Sequence, residues 1–341
     1  MPYTISNLDF AKAREQFAHE FEAEWERVLN QVGCRQAQLV GGNRLRPEIS
    51  FWGYLASLDS NQILKNNYVR IAQIAVSIEL LHKASLLLDD WLDSDLARHG
   101  MPTFHAEYSP QMAVVFGLHL VGLSVRRIND VLPPEQVSLT LYHSCMNSLL
   151  DTIYSMSQGA LKEMRLTKEG LHDLGQIRNI AKLETSEIIG NSIQLGYIIG
   201  GTPTEQVSVI LKHIGNQCGY LFQTMNDMEA FGNSGKNAVH KGNINYDIDC
   251  SRKNLAIAIL YELANKKDRQ LIKTSSGPEL AAIARRYKLV DFIMRDLENV
   301  YSKMKSDIFS LAKYGVSDEW VNGFYEFINQ VRDIAVKRLS R

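Results

Sequence analysis

The sequence predicts an all-α fold, and three observations support this prediction. Only eight prolines occur in 341 residues, so long stretches are free to be helical, because proline removes a helix hydrogen bond and clashes with the preceding turn. Apolar residues recur at three- and four-residue steps, as they do along the buried face of a helix. Sustained alternation of apolar and polar residues, which is typical of a half-buried strand, is absent.

The helical pattern is clearest in the segment that begins at Ile71 and continues to Leu92. The same spacing predicts further helices at Met112–Ile128, Val137–Met164, Ile177–Ile199, Val207–Phe231, Leu255–Ala264, Leu289–Leu311 and Trp320–Leu339. Breaks fall at Gly41-Gly42, Gly100 to Pro102, Pro133-Pro134, Gly200 to Pro203 and the long polar stretch Gly232–Asp249. None of them resembles a flexible interdomain linker. We therefore expect residues 1–341 to form one helical domain, with residues 1–40 as a helical N-terminal extension.

The composition is that of an ordinary soluble globular protein, with 45% hydrophobic and 22% charged residues. A net charge of −1 gives no electrostatic reason to expect a nucleic-acid partner. The four cysteines have no paired spacing, so neither a zinc site nor a disulfide framework is indicated. The most apolar stretches, Ile71–Leu88 and Ile188–Gly201, are interrupted by polar residues, so no membrane span is expected. The acidic N-terminus lacks the layout of a signal peptide, and a cytoplasmic location is expected.

Four acidic residues lie within seven positions near the end of the first of these helices: Asp89, Asp90, Asp93 and Asp95. Asp89 and Asp93 share a helix face, where like charges repel, and acids at a helix C-terminus also oppose the macrodipole. A cation would remove this cost, and Mg²⁺ typically binds one or two carboxylates together with water and substrate phosphate oxygens. Arg98 follows at a distance suited to pairing with a phosphate. The alternative is a solvated acidic helix end beside a surface salt bridge.

The residues around this cluster resemble the trans-isoprenyl diphosphate synthases, also called polyprenyl synthases. The clearest match contains the first aspartate-rich motif, Asp89-Asp90-Trp-Leu-Asp93, and a tail that reads Arg98-His99-Gly100-Met-Pro102-Thr103-Phe-His105. Two further blocks occur in the family's order. Gly41–Pro47 is similar to a Gly-Gly-Lys-Arg-x-Arg-Pro loop, and Gly219–Ala230 is similar to the second aspartate motif, Phe-Gln-x-x-Asp-Asp-x-x-Asp.

The resemblance implies a single helical bundle of the isoprenoid synthase type with a central substrate cavity. It also implies a Mg²⁺-dependent enzyme that ionises an allylic prenyl diphosphate, after which an acceptor alkene attacks the carbocation, and it leads us to expect a homodimer. The catalytic and metal-binding residues that it implies are Asp89, Asp90, Asp93 and Asp227. Glu229 lies three residues after Asn226 on the same helix face and is a further candidate metal ligand, the alternative being a solvated glutamate.

The implied diphosphate-binding residues are Arg44, Arg46, His82, Arg98, Gln223, Lys241 and Arg252. Lys241 lies in the long polar stretch, where a solvated lysine is the alternative. Ala84 and Ser85 match positions, one turn before the first motif, at which bulky aromatic residues limit chain length in the family. Because both residues are small, we expect a donor or product of fifteen carbons or more.

The sequence departs from the family pattern at several positions that bind charge. Asn43 replaces the loop lysine and His99 replaces an arginine, so two permanent cations of the isopentenyl diphosphate site are lost. Each charge-assisted hydrogen bond contributes roughly 1.5–3 kcal/mol, so isopentenyl diphosphate either binds weakly or is not the acceptor. Asn226 and Ala230 replace two aspartates of the second motif. Glu184 replaces the lysine of a Lys-Thr block, with Lys182 nearby as a candidate substitute.

Three functions follow from this pattern. The first is a divergent trans-prenyltransferase that transfers the prenyl group to isopentenyl diphosphate or another acceptor. The second is a class I terpene cyclase on the same fold, in which the substrate's own alkene attacks. A third and less favoured hypothesis is a non-catalytic subunit of a heteromeric prenyl synthase, since such a subunit need not keep the aspartates and Arg98 together.

Overall fold

The computed structural model describes residues 7–34, 36–63, 65–98, 100–201, 203–228, 231 and 253–340. Helices make up nearly all of the regular structure there, which confirms the predicted all-α fold. In chain order they are α1 (Leu8–Val32), α2 (Ala37–Val40), α3 (Leu45–Leu55), α4 (Ser60–Ile63), α5 (Val69–Leu92), α6 (Phe104–Glu107), α7 (Pro110–Val131), α8 (Leu139–Met164), α9 (Leu174–Ala181), α10 (Glu187–Ile199), α11 (Glu205–Met228), α12 (Leu255–Leu263), α13 (Lys266–Ile272), α14 (Gly277–Arg286), α15 (Leu289–Ser310) and α16 (Asp318–Ser340). Short 3₁₀ turns occupy Gly170–His172 and Leu311–Tyr314.

The strands β1 (Ala97–Arg98) and β2 (Met101–Pro102) form a small antiparallel ribbon just after α5. Local side chains set several helix ends. Asn7 accepts hydrogen bonds from the first turn of α1, and Ser109 does the same for α7, whose first residue is Pro110. Helix α1 ends at Gly33, whose φ of 65° is accessible to glycine without steric penalty.

The predicted helices are present, but one of them is divided. The segment predicted as a single helix over Ile177–Ile199 consists of the end of α9, a π-helical segment at Lys182–Ser186 and α10. Apolar spacing does not reveal such a change, because one wide turn barely shifts the pattern. Helices α13 and α14 were not predicted, since they are shorter than the window over which periodicity is informative.

Helix α5 is the central element and packs against α1, α3, α7 and α10. Its residues are buried on nearly all sides, as expected for a helix without a polar face. By length and composition α5 and α7 are apolar enough to cross a membrane, with 72% and 39% of the tested windows buried in the fold. A core helix passes the same test. The expected absence of a membrane span therefore remains a prediction.

Helices α3 and α10 cross in close contact because each contributes a glycine at the crossing. A Cβ atom on Gly196 would lie 1.8 Å from the carbonyl oxygen of Ser50, and one on Gly53 would lie 2.0 Å from that of Ile193. No larger residue fits at either position without separating the helices. This contact fixes α10, which in turn packs against α5, α8 and α11.

Candidate active site

The three predicted aspartates lie at the C-terminal end of α5, but their surroundings differ. Asp90 is fully buried, whereas the side chain of Asp89 is 49% exposed. Asp93 is the residue that ends the helix, and its backbone N–H donates to the carbonyl oxygen of Asp89 at 2.8 Å. Asp89 and Asp93 are therefore one turn apart at the C-terminal end of the helix, while Asp90 points into the protein.

Asp90 is held by hydrogen bonds from two parts of the chain. The Nε of Arg98 donates to its Oδ1 at 2.7 Å, and the side-chain amide of Gln38 donates to its Oδ2. Nη2 of Arg98 also pairs with Oδ2 of Asp89 at 3.2 Å. Since β1 carries Arg98 back over the end of α5, the guanidinium is fixed between two carboxylates.

A buried lysine positions the loop that precedes α3. Lys83 is 3% exposed, and its Nζ donates to the carbonyl oxygens of Gln38, at 2.8 Å, and of Gly41. Glu79, one turn earlier on α5, lies 3.7 Å from the same ammonium group. Burial lowers the pKa of Lys83 to about 8, an effect that Glu79 partly offsets. Lys83 thus ties this loop to the helix that carries the aspartates.

The two loop arginines predicted to bind diphosphate have different environments. Arg44 pairs with Glu79 at 3.0 Å and with Glu22 at 3.2 Å, and it donates to the carbonyl oxygens of residues 40 and 41. Its guanidinium also lies 5.0 Å from the centre of the Trp25 ring. These contacts give Arg44 a structural role in holding α1, the loop and α5 together. Its role in binding diphosphate remains a prediction.

Arg46 makes no ion pair within the described part of the chain, and its Nε is buried without a hydrogen-bond partner. Burial lowers its pKa to about 10, partly offset by Glu79. The neighbouring His82 is half-buried, and burial together with Arg46 and Arg98 lowers its pKa well below its ordinary value. His82 is therefore neutral at neutral pH, and Glu79 acts on the Arg46 charge from a distance without forming an ion pair with it among the described residues.

In the second motif, Asp227 is anchored by neighbouring groups. The Nε2 of Gln223 donates to its Oδ1 at 2.8 Å, and the backbone N–H of Leu255 donates to its Oδ2 at 2.7 Å. Thr185 in turn donates to the Oε1 of Gln223 at 2.8 Å. Burial raises the pKa of Asp227 to about 6, although the Leu255 hydrogen bond opposes this. Asp227 thus connects α11 to the start of α12.

A partly buried ion cluster lies next to this motif. Glu184, in the π-helical segment, pairs with Lys253, whose Nζ also donates to Oε2 of Glu163 at 2.5 Å. Burial raises the pKa of Glu184 to about 8, although Lys253 acts to lower it. A Cβ atom at Gly159 of α8 would lie 2.4 Å from the Cγ of Glu184, so the glycine leaves room for this side chain. Lys253 is therefore the cation that pairs with Glu184, the glutamate that stands in place of the lysine of the Lys-Thr block.

Lys182, considered above as a substitute cation, is mostly exposed and lies 3.6 Å from Glu187, not beside Glu184. The predicted chain-length residues differ in position. Ala84 is fully buried, and Ser85 is half-buried with its hydroxyl donating to the carbonyl oxygen of His82. Ser85 shares the helix face of Asp89, whereas Ala84 lies roughly 140° away from it. The role of both in chain length remains a prediction.

The residues described by the structure contain no group of three or more His, Cys, Asp or Glu side chains that would hold a metal ion by themselves. Asp89 and Asp93 fit a Mg²⁺ ion that is completed by substrate oxygens, since such ions use few carboxylates. Glu229, Lys241 and Arg252 lie outside the described residues, as does His99. Their predicted roles remain predictions.

Four residues around the site were not singled out from the sequence: Gln38, Lys83, Glu163 and Lys253. Lys83 carried a detectable signal, because a lysine within an otherwise apolar helix is rarely buried without partners. Gln38, Glu163 and Lys253 carried none, since each meets its partner across a distance in sequence that no local pattern covers.

Comparison with known proteins identifies the family. A sequence model described as Polyprenyl synthetase matches residues 29–291. The chain belongs to this family. Among similar proteins, the heptaprenyl diphosphate synthase component 2 of Geobacillus stearothermophilus is 26% identical over 299 residues, which is 86% of each chain.

Solved structures of other proteins share the fold of this family member. The geranylgeranyl pyrophosphate synthetase of Pyrococcus horikoshii gives a TM-score of 0.75 at 20% identity, covering 97% of this chain and 99% of that one. A geranylgeranyl pyrophosphate synthase from Corynebacterium glutamicum, in complex with isoprenyl diphosphate and magnesium, gives 0.68 at 19% identity, covering 97% and 98%. The chain therefore has the helical fold of prenyl diphosphate synthases.

Proposed function

We propose that this family member binds an allylic prenyl diphosphate of fifteen carbons or more and transfers its prenyl group to an acceptor that carries its own negative charge. Isopentenyl diphosphate is the first candidate for the acceptor. The observation that carries this proposal is Arg46, which makes no ion pair within the described part of the chain and lies beside a neutral His82. Arg46 is half-buried and its Nε lacks a hydrogen-bond acceptor among the described residues, so a bound anion at this position would supply one.

The donor diphosphate would bind at the opposite end of the same charged region. His82 lies within electrostatic reach of Arg46 and Arg98, as well as of Lys83 and Arg44. The guanidinium of Arg98 lies at the C-terminal end of α5, where Asp89 and Asp90 hold it. Two anionic groups could then bind on either side of His82, as a transfer between two diphosphates requires.

Asp89 and Asp93 are the residues that would hold Mg²⁺. Bound there, Mg²⁺ would neutralise charge on the diphosphate and make it a better leaving group. Magnesium together with isoprenyl diphosphate in the Corynebacterium relative supports this assignment. Arg98 would bind the departing diphosphate. The apolar side chains of α5, α8 and α10 would exclude water from the allylic carbocation.

Kinetic measurements on Arg46→Gln test the acceptor site. Purified protein is incubated with Mg²⁺ and farnesyl or geranylgeranyl diphosphate, with and without isopentenyl diphosphate. Arg46→Gln should raise the KM for isopentenyl diphosphate by about 10- to 150-fold, the range of one charge-assisted hydrogen bond, and leave the KM for the allylic substrate unchanged. Arg126→Gln, an exposed arginine on α7, is the matched control and should change neither KM.

Other outcomes would contradict the proposal. Cyclic or hydrocarbon products from the allylic substrate alone would identify a terpene cyclase. Absence of turnover with every substrate pair would favour a non-catalytic subunit. Asp89→Ala should abolish the activity found, and a variant that keeps its activity would show that the metal assignment is wrong.

The partner that we propose is a second copy of this chain. Helix α7 exposes Met112, Val115 and Leu118 at three-residue spacing, and its neighbour α8 exposes Leu150 and Tyr154. Exposed apolar side chains on two neighbouring helices are typical of an interface. Light scattering should give twice the mass of the chain, and Leu118→Glu should give the monomer. A monomeric wild-type protein would contradict the homodimer. It would favour a different partner protein, because the relative from Geobacillus stearothermophilus is named as one component of a synthase.

A further inference from the structure

A small pocket lies between α5, α8 and α10, on the helix face that leads away from the aspartates. Its empty space, counted together with adjoining open solvent, is about 200 Å³, and it is lined on α5 by Ile78 and Leu81. Ile78 precedes Asp89 by eleven residues and lies within about 20° of it around the helix axis. At 1.5 Å per residue, the pocket is about 12–17 Å from the aspartate along α5. The far end of a prenyl chain whose diphosphate binds at Asp89 would point towards it.

The opposite wall of this pocket combines apolar side chains, Leu149 of α8 and Ile188 and Leu195 of α10, with polar ones. It contains Ser148 and Thr152 of α8 and Asn191 of α10, each more than nine-tenths buried. The side-chain amide of Asn191 donates to Oγ1 of Thr152 at 2.7 Å, and Thr152 donates to the carbonyl oxygen of Ser148 at 2.8 Å. The Ser148 hydroxyl has no hydrogen-bond partner among the described residues.

This arrangement is unfavourable unless another group completes it. A buried hydroxyl without a partner loses its hydrogen bonds to water and gains none in return. A purely hydrocarbon chain end would leave it unpaired, whereas an oxygen atom can both accept a hydrogen bond from Ser148 and donate one to it. The pocket thus combines apolar walls on α5 with one unsatisfied polar group on α8.

We propose that Ser148, Thr152 and Asn191 form a binding subsite for a single hydroxyl-type oxygen at the distal end of the substrate cavity. The oxygen belongs either to a hydroxyl group on the bound prenyl chain or to a water molecule held beneath it. The first source rests on the proposed function, because it requires the diphosphate to bind at Asp89.

Calorimetry with two chains identifies the source. The probes are farnesyl diphosphate and its derivative hydroxylated on a terminal methyl group, each with Mg²⁺. The wild-type protein should bind the hydroxylated chain about 5-fold more tightly than the parent, as one net hydrogen bond allows. Ser148→Ala should remove this preference. The control Ser157→Ala changes an exposed serine of the same helix, which donates to the carbonyl oxygen of Tyr154, and should keep it.

A crystal structure tests the second source without any bound diphosphate. An ordered water within hydrogen-bond distance of the Ser148 hydroxyl, lost in Ser148→Ala, would assign water as the occupant. No chain preference together with no ordered oxygen at Ser148 would overturn the subsite. Failure of the proposed function is recognised separately, because then neither chain would bind the wild-type protein while the crystallographic result would still stand.

Discussion

Replacing Lys253 by methionine should destabilise the protein strongly, because it leaves Glu163 and Glu184 as neighbouring carboxylates without a counterion among the described residues. All three side chains are largely buried, with 14%, 27% and 21% exposed. Removing one partner of a buried ion pair typically costs about 3–5 kcal/mol. The unfolding entropy near the melting temperature is about 2.1 cal/mol/K per residue, or about 0.7 kcal/mol/K for 341 residues. The expected decrease in Tm is therefore about 4–7 °C.

Differential scanning calorimetry at neutral pH measures this change. Lys182→Met is the matched control, since this exposed lysine contacts Glu187 at 3.6 Å and its loss should cost about 0–1 kcal/mol. The triple variant Glu163→Gln/Glu184→Gln/Lys253→Met should regain most of the lost Tm, because no buried charge then lacks a partner. A Lys253→Met protein that melts within 1 °C of the wild type, or a triple variant that melts below the single one, would refute the ion cluster.

Three further predictions concern the first aspartate motif and its surroundings. Asp90→Ala should cost about 3–5 kcal/mol in urea unfolding, and Asp89→Ala about 0–1, because only Asp90 is buried with its arginine; equal losses would contradict this assignment. The pKa of His82 is lowered in the folded protein, so on acidification the unfolded state binds the histidine proton first, and the free energy of unfolding should fall as the pH drops below about 6.5. His82→Gln should make this decrease smaller. An unchanged pH profile would show that another group causes it. Lys83→Met should lower the free energy of unfolding in urea by about 1–3 kcal/mol and weaken diphosphate binding, because the loop before α3 loses the ammonium group that donates to its carbonyl oxygens. Unchanged stability would show that this loop keeps its position without Lys83.

Much of the fold was predictable from local patterns. Helices such as α5 and α8 follow from apolar spacing, since burying one face of a helix is what stabilises it in a protein. The aspartate motif and Arg98 were identified because an acidic helix end is unfavourable without a cation. The resemblance that these residues carry led to the family that the comparison then confirmed.

Pairing between distant residues was not predictable. The sequence presented Arg44 and Arg46 as equivalent loop arginines, yet Arg44 pairs with Glu79 and Glu22, whereas Arg46 has no ion pair among the residues that the structure describes. Their difference depends on the path of α1 over the loop, which no short-range pattern encodes.

The sequence by itself determined the fold class, the presence of the first aspartate-rich motif and the loss of family cations at Asn43 and Glu184. Only the tertiary structure decided that Lys253 accompanies Glu184 and that Asp90 serves to hold Arg98. The physical reason is that the energy of a charge depends on its burial and its partners, and both are set by helices that meet far apart in sequence.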